Sequence, residues 1–111
     1  MDWKRQLASR LVPLGPIEVP PGITGVAAVL IPIGWNEEEK RDEILLIKRT
    51  MTVDDHKGQI GFPGGFREVE DRDLLRTALR EAMEEIGTPA EQFEVLGRLE
   101  PVHTHKKEVL V

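Results

Sequence analysis

The apolar positions of this chain change period along its length, and each change predicts a different element. Trp3, Leu7 and Leu11 recur at helical spacing behind Asp2, which predicts a short amphipathic helix capped by that aspartate. Pro13, Gly15, Pro16, Pro20, Pro21 and Gly22 then predict an extended connector. Residues 24–33 are rich in Val, Ile and Ala and read as a buried strand. The charged run at 36–42 reads as a solvated hairpin turn, residues 43–49 as the returning strand, and 50–57 as a polar loop. Within 60–66, Gly61, Pro63, Gly64 and Gly65 break a short strand into a tight turn. Residues 93–99 and 108–111 read as further strands.

Between these strands lies the clearest periodicity. Leu75, Ala78, Leu79, Ala82 and Ile86 fall within one apolar arc, with Thr77, Arg80, Glu81, Glu84 and Glu85 opposite. Asp71 or Asp73 caps this helix, and Gly87 with Pro89 ends it after Ile86. The order of elements is helix, two strands, turn, helix, strand, strand. That is an α+β domain, layered around a mixed β-sheet.

Composition narrows the class. The chain has 111 residues, enough for one domain with a single modest core. With 40% hydrophobic and 32% charged residues it is an ordinary soluble composition. A net charge of −5 argues against nucleic-acid and membrane-surface partners. The longest apolar run, 25–33, is too short to span a bilayer and contains Pro32. The first residues lack the apolar core of a signal peptide, so a cytoplasmic location is expected. There is no cysteine, which excludes disulfides, thiolate chemistry and cysteine-based zinc sites.

Candidate chemistry concentrates on the polar face of the second helix. At about 100° per residue, Glu81 and Glu85 stand one turn apart on one side, with Glu84 beside them. Like charges at this spacing repel, so the cluster is best explained by a cation that it holds. Dense carboxylate oxygen suits a hard divalent ion, Mg²⁺ or Mn²⁺. Glu81 and Glu85 are the expected ligands, and Glu84 an additional or alternative one. Arg80 is expected to pair with a neighbouring carboxylate and fix its rotamer. Gly64 and Gly65 let backbone approach a ligand closely, and Gly65 has a carbonyl to offer a metal. Bound there, a metal would neutralise a diphosphate and activate water.

Other features read more simply. Glu37, Glu38 and Glu39 form a solvated turn. His103 and His105 share one face of a strand and read as a surface pair before a zinc site, since no third ligand lies nearby. Trp3 and Trp35 are packing anchors or stacking platforms. Arg49 either reaches a phosphate or ends a strand in solvent. His56 is either a phosphate contact or an ordinary loop histidine.

Gly65 with Arg80-Glu81-Ala82-x-Glu84-Glu85-x-Gly87 resembles the Nudix box, G-x5-E-x7-R-E-U-x-E-E-x-G-U, where U is aliphatic. The resemblance implies a Nudix-like α/β/α sandwich and metal-dependent hydrolysis of nucleoside diphosphates linked to another group. Leu45 to Thr50, then His56-Lys57-Gly58-Gln59-Ile60-Gly61-Phe62-Pro63-Gly64-Gly65, are similar to the segment preceding the box in coenzyme A pyrophosphatases. That branch splits coenzyme A into 4′-phosphopantetheine and adenosine 3′,5′-bisphosphate. It implies Glu81 and Glu85 as metal ligands and places His56 and Gly58 in a substrate-side signature. Arg49, Gly64 and Gly65 join them as expected substrate contacts, with Glu81, Glu84 and Arg80 the expected catalytic group. The base is Glu81, Glu84 or a residue of a later loop.

The departures are specific. Gly65 to Arg80 is one residue longer than the general box, and Asp71 stands where its first Glu would be; the coenzyme A branch tolerates both. Thr88 replaces the closing aliphatic residue. Asp54 stands where that branch has an Arg, which leaves ADP-ribose or another nucleotide as an alternative substrate. The resemblance spans 24–111, and its family continues with more sheet and a closing helix. The expected organisation is therefore residues 1–22 as helix and connector, then 23–111 as a partial Nudix-like domain. A truncated domain that binds a nucleotide without turning it over is a further alternative. An exposed 108–111 edge would let two chains complete each other's sheet as a homodimer.

Overall fold

The computed structural model describes residues 2–48, 59–104 and 109–110. Helix α1 spans Asp2–Arg10, and the strands before the second helix are β1 Gly25–Val29, β2 Ile33–Asn36, β3 Arg41–Ile44, β4 Ile47–Lys48, β5 Ile60–Gly61 and β6 Gly64–Phe66. Helix α2 spans Leu74–Ile86, a single 3-10 turn covers Ala90–Gln92, and β7 His103–Thr104 and β8 Val109–Leu110 complete the order. The class is α+β.

The central sheet is mixed, in the order β6-β1-β8-β7. Strand β1 is antiparallel to β6, with Ala28 opposite Gly65 and Val29 opposite Gly64. It is parallel to β8, with Gly25 opposite Val109 and Val26 opposite Leu110. β8 in turn pairs antiparallel with β7. The expected strand at 108–111 is thus present at 109–110, but it is an interior strand. Both of its sides are already hydrogen-bonded, so the expected dimer through this edge is corrected: among the described residues, 109–110 offer no free edge to a second chain.

The apolar run 24–33 divides into two strands rather than forming one. Pro32 lacks an N–H, so it cannot donate to a ladder at the junction; its carbonyl instead accepts from Leu45 N–H at 3.0 Å. Beyond it, β2 and β3 form the expected hairpin, pairing Ile33 with Ile44 and Asn36 with Arg41. Asn36 Oδ1 accepts from the N–H groups of Glu38 and Glu39, both at 3.0 Å, which organises the exposed acidic turn. The expected return strand at 43–49 is likewise broken, into the end of β3 and the short β4.

Residues 93–99 do not form the expected strand. Apart from one isolated bridge between Val12 and Arg98, they find no partner strand, and a β-prone stretch without a ladder stays irregular. That bridge, with the Lys4–Glu94 ion pair at 3.0 Å, fastens the N-terminal segment to this stretch.

Helix α2 begins and ends where its local chemistry dictates. Asp73 is the N-cap, its side chain accepting from Arg76 N–H, and Gly87 closes the C-terminus in the left-handed region at φ 73°. The helix lies on β1 and β6. Ala78, Leu79 and Ala82 are buried in that contact. Thr77 is a correction to the sequence reading: expected on the polar face, it is fully buried.

Close approach explains the diglycine. A Cβ on Gly64 would meet the carbonyl oxygen of Ala28 and would lie 2.7 Å from Val29 Cα. Backbone cannot yield as a flexible side chain can. Gly64→Ala should therefore destabilise the fold by about 1–3 kcal/mol, read as a lower urea midpoint at unchanged m-value. An unchanged midpoint would mean that β6 and β1 are not packed this tightly.

Candidate active site

The site is assembled by the β6 turn, the loop after it and the polar face of α2. At its centre is Arg80. Its Nε donates to Asp71 Oδ1 at 3.0 Å and its Nη2 to Asp71 Oδ2 at 2.9 Å, a two-pronged pair. Nη2 also donates to the Phe66 carbonyl at 3.1 Å, tying the helix to the end of β6. Nη1 faces the remaining carboxylates, 3.2 Å from Glu81 Oε2, 3.3 Å from Glu84 Oε1 and 3.7 Å from Glu68 Oε1.

Asp71 is only 5% exposed and is satisfied on every side. Besides Arg80, its Oδ2 accepts from Glu68 N–H at 2.9 Å and from the Thr77 hydroxyl at 3.0 Å. The Arg80 guanidinium, then the Glu68 N–H, hold its carboxyl well below the usual carboxylate range. Arg80 is correspondingly fixed as a cation.

Glu81 lies over Gly65. A Cβ on that glycine would overlap the Glu81 carboxylate, with Cδ at 2.6 Å, so only glycine admits this rotamer. Burial, and then the charge of Glu84, push the Glu81 carboxyl up, with Glu85 adding to the effect and Arg80 opposing it. Glu85 reaches the turn itself, accepting from Gly64 N–H at 2.9 Å. Gly64, Gly65, Arg80, Glu81, Glu84 and Glu85 are thus neighbours in one site. Arg49, His56, Gly58, Asp54 and His105 lie outside the described residues.

The donors fit a hard divalent cation by their chemistry. All are carboxylate oxygens, and the like charges that raise the Glu81 pKa would be relieved by positive charge beside them. Among the described residues no three acidic or histidine side chains form a ready-made metal cage. Mg²⁺ does not require one: it commonly takes one or two protein carboxylates, water and the phosphates of its ligand.

Sequence reasoning found the glutamates from helical spacing and missed three parts of the support. The sequence offers Asp71 as a helix cap or as the counterpart of a Glu, whereas its structural role is to clamp Arg80. Thr77, expected on the polar face, is buried. Glu68 carried no signal at all.

Comparison with known proteins gives the family. The family model for the NUDIX domain matches residues 25–110, and the chain belongs to that family. It is 41% identical over 78 residues to an uncharacterized Nudix hydrolase NudL of Photorhabdus laumondii, covering 70% of this chain and 40% of that protein. Against the NudL of Pectobacterium atrosepticum it is 40% identical over 91 residues, 78% of this chain and 46% of the relative. The NudL of Yersinia pestis (strain Pestoides F) gives 45% over 78 residues, 70% and 38%. The chain thus spans less than half the length of these curated relatives.

The Asp71 clamp makes stability depend on pH. Its carboxyl pKa is depressed in the folded protein relative to the unfolded chain, so the fold favours the ionised form. That contribution is complete above the unfolded value of about 4 and is lost as pH falls below it. Denaturation midpoints of the native chain should fall progressively below about pH 4. Asp71→Asn should lower stability at neutral pH and flatten that acid slope. Parallel pH profiles for the two would remove Asp71 as a titrating anchor.

Proposed function

We propose that this chain carries the catalytic helix of a metal-dependent hydrolase that cleaves the diphosphate of a nucleoside-diphosphate-linked substrate, coenzyme A or a derivative being the best candidate. One observation carries the reading: Glu81 and Glu85 border the Gly64-Gly65 turn, and Arg80 joins Glu81 to Glu84 beside it. Glu81 and Glu85 would hold Mg²⁺ or Mn²⁺, with Glu84 as a further ligand. The ion would neutralise the diphosphate and lower the pKa of a water molecule. The family match and the NudL relatives support this class of chemistry.

The chain's own residues supply position and charge. Arg80 shares its Nη1 between Glu81 and Glu84, which restrains both carboxylates. Gly65, without a side chain, leaves room for the Glu81 carboxylate against the turn. Glu81 and Glu84 are the candidates to take the proton from the attacking water, and burial, then the charge of Glu84, raises the proton affinity of Glu81. Attack at one phosphorus breaks its bond to the bridging oxygen, which departs on the other phosphate. Arg49, His56, Gly58, Gly64 and Gly65 are proposed on the substrate side.

The coenzyme A assignment rests on the sequence from Leu45 to Gly65, which is similar to the segment preceding the box in that branch. One sequence feature favours a second substrate. Asp54 occupies the place of an arginine in that branch, and an anion there suits a substrate lacking the additional phosphate of coenzyme A, such as ADP-ribose.

The test is turnover of coenzyme A and ADP-ribose by this chain, with and without Mg²⁺ or Mn²⁺, and identification of the products. Metal-dependent release of 4′-phosphopantetheine and adenosine 3′,5′-bisphosphate is expected. Glu85→Gln should lower kcat about a hundredfold or more, the equivalent of roughly 3 kcal/mol. The glutamine oxygen still accepts from Gly64 N–H, so the melting temperature should hold. Undiminished turnover in this variant would strip Glu85 of its role, and metal-independent or absent cleavage would overturn the hydrolase reading.

A further inference from the structure

We infer that Thr77 is a positioning residue of this site: its buried hydroxyl fixes Asp71, and through Asp71 and Arg80 it sets the carboxylates of Glu81 and Glu84. This rests on the metal-dependent reading proposed above and extends it to a residue that never meets the ion.

Thr77 has no exposed surface. Its hydroxyl carries one proton and two oxygen neighbours, Asp71 Oδ2 at 3.0 Å and the Asp73 carbonyl at 3.4 Å. The shorter and charged acceptor takes the proton. If this position only filled space, valine would fill it equally well without a polar group to satisfy. Threonine is also a poor helix former, so local propensity does not explain it.

The contact completes the coordination of one carboxylate. Asp71 Oδ1 accepts from Arg80 Nε, and Oδ2 accepts from Arg80 Nη2, Glu68 N–H and Thr77 Oγ1. Four hydrogen bonds thus reach one carboxylate, three of them converging on Oδ2. Asp71 therefore has no room to rotate, and neither does the guanidinium it grips. Nη1, with two protons, faces three carboxylates: Glu81, Glu84 and Glu68. A small tilt of the guanidinium would redistribute those protons and shift the glutamates. Removing the hydroxyl frees Asp71 to make that tilt. The route is short and continuous: Thr77, Asp71, Arg80, Glu81.

The test is Mn²⁺ titration of the chain by calorimetry, with far-UV circular dichroism and melting temperature measured on each variant. Thr77→Val should keep the native spectrum and weaken Mn²⁺ binding about tenfold, the scale of losing a partner that orients a metal ligand. Thr77→Ser restores the hydroxyl and should bind within about twofold of the unsubstituted chain, on the same scale. In an Asp71→Asn background Thr77→Val should add little further loss, because the effect travels through Asp71. Thr77→Ala carries the same expectation should the valine variant not fold. Mn²⁺ affinity unchanged in a folded Thr77→Val or Thr77→Ala variant, with only the melting temperature lowered, would overturn the proposal and leave the function standing. So would an equal loss in the Asp71→Asn background. An unsubstituted chain that binds no Mn²⁺ would overturn both.

Discussion

Arg80 and Asp71 hold together two pieces of chain that have little else in common. The arginine belongs to the middle of α2, and the aspartate to the irregular loop that leads into it. Two parallel hydrogen bonds join them, and a third runs from the same guanidinium to the Phe66 carbonyl at the end of β6. Strand, loop and helix are therefore referenced to one planar, permanently charged group. Without it the helix would still pack through Ala78, Leu79 and Ala82. Rotation of the helix decides where the glutamates point, and the guanidinium ties that rotation to the loop and to β6.

The glutamates themselves act against stability. Three carboxylates within two turns repel one another, and burial of Glu81 adds a desolvation cost that its raised pKa reports. Arg80 neutralises only part of this, since Asp71 engages two of its nitrogens. Such local tension is the usual mark of a site arranged for something other than folding. The same economy governs the turn. Gly64 and Gly65 give up side-chain burial so that β1 on one side and Glu81 on the other can come within contact distance.

What could be read from the sequence was what is local. The start and stop of α2 are written in Asp73 and Gly87, each acting on backbone within a few residues. The β2–β3 hairpin and its acidic turn were equally legible, because charge pattern and Asn36 act over short distances. Residues 93–99 misled because β propensity describes a side chain's fitness for a sheet, not whether a neighbouring strand exists. Thr77 misled because a helical wheel knows the helix and not the loop beneath it. Once Asp71 folds back, the boundary of the apolar arc becomes the most enclosed polar position among the described residues. The order β6-β1-β8-β7 depends on pairings distant along the chain, which periodicity cannot report.

The parallel placement of β8 beside β1 bears on how the molecule is made. Residue 25 meets residue 109 and residue 26 meets residue 110. During synthesis one flank of β1 stays unpaired until nearly all of the described chain has left the ribosome. The β2–β3 hairpin and α2 are complete long before that. Loop-closure entropy makes so distant a pairing slow. An apolar strand waiting with open amide groups is the kind of intermediate that folding chaperones shelter.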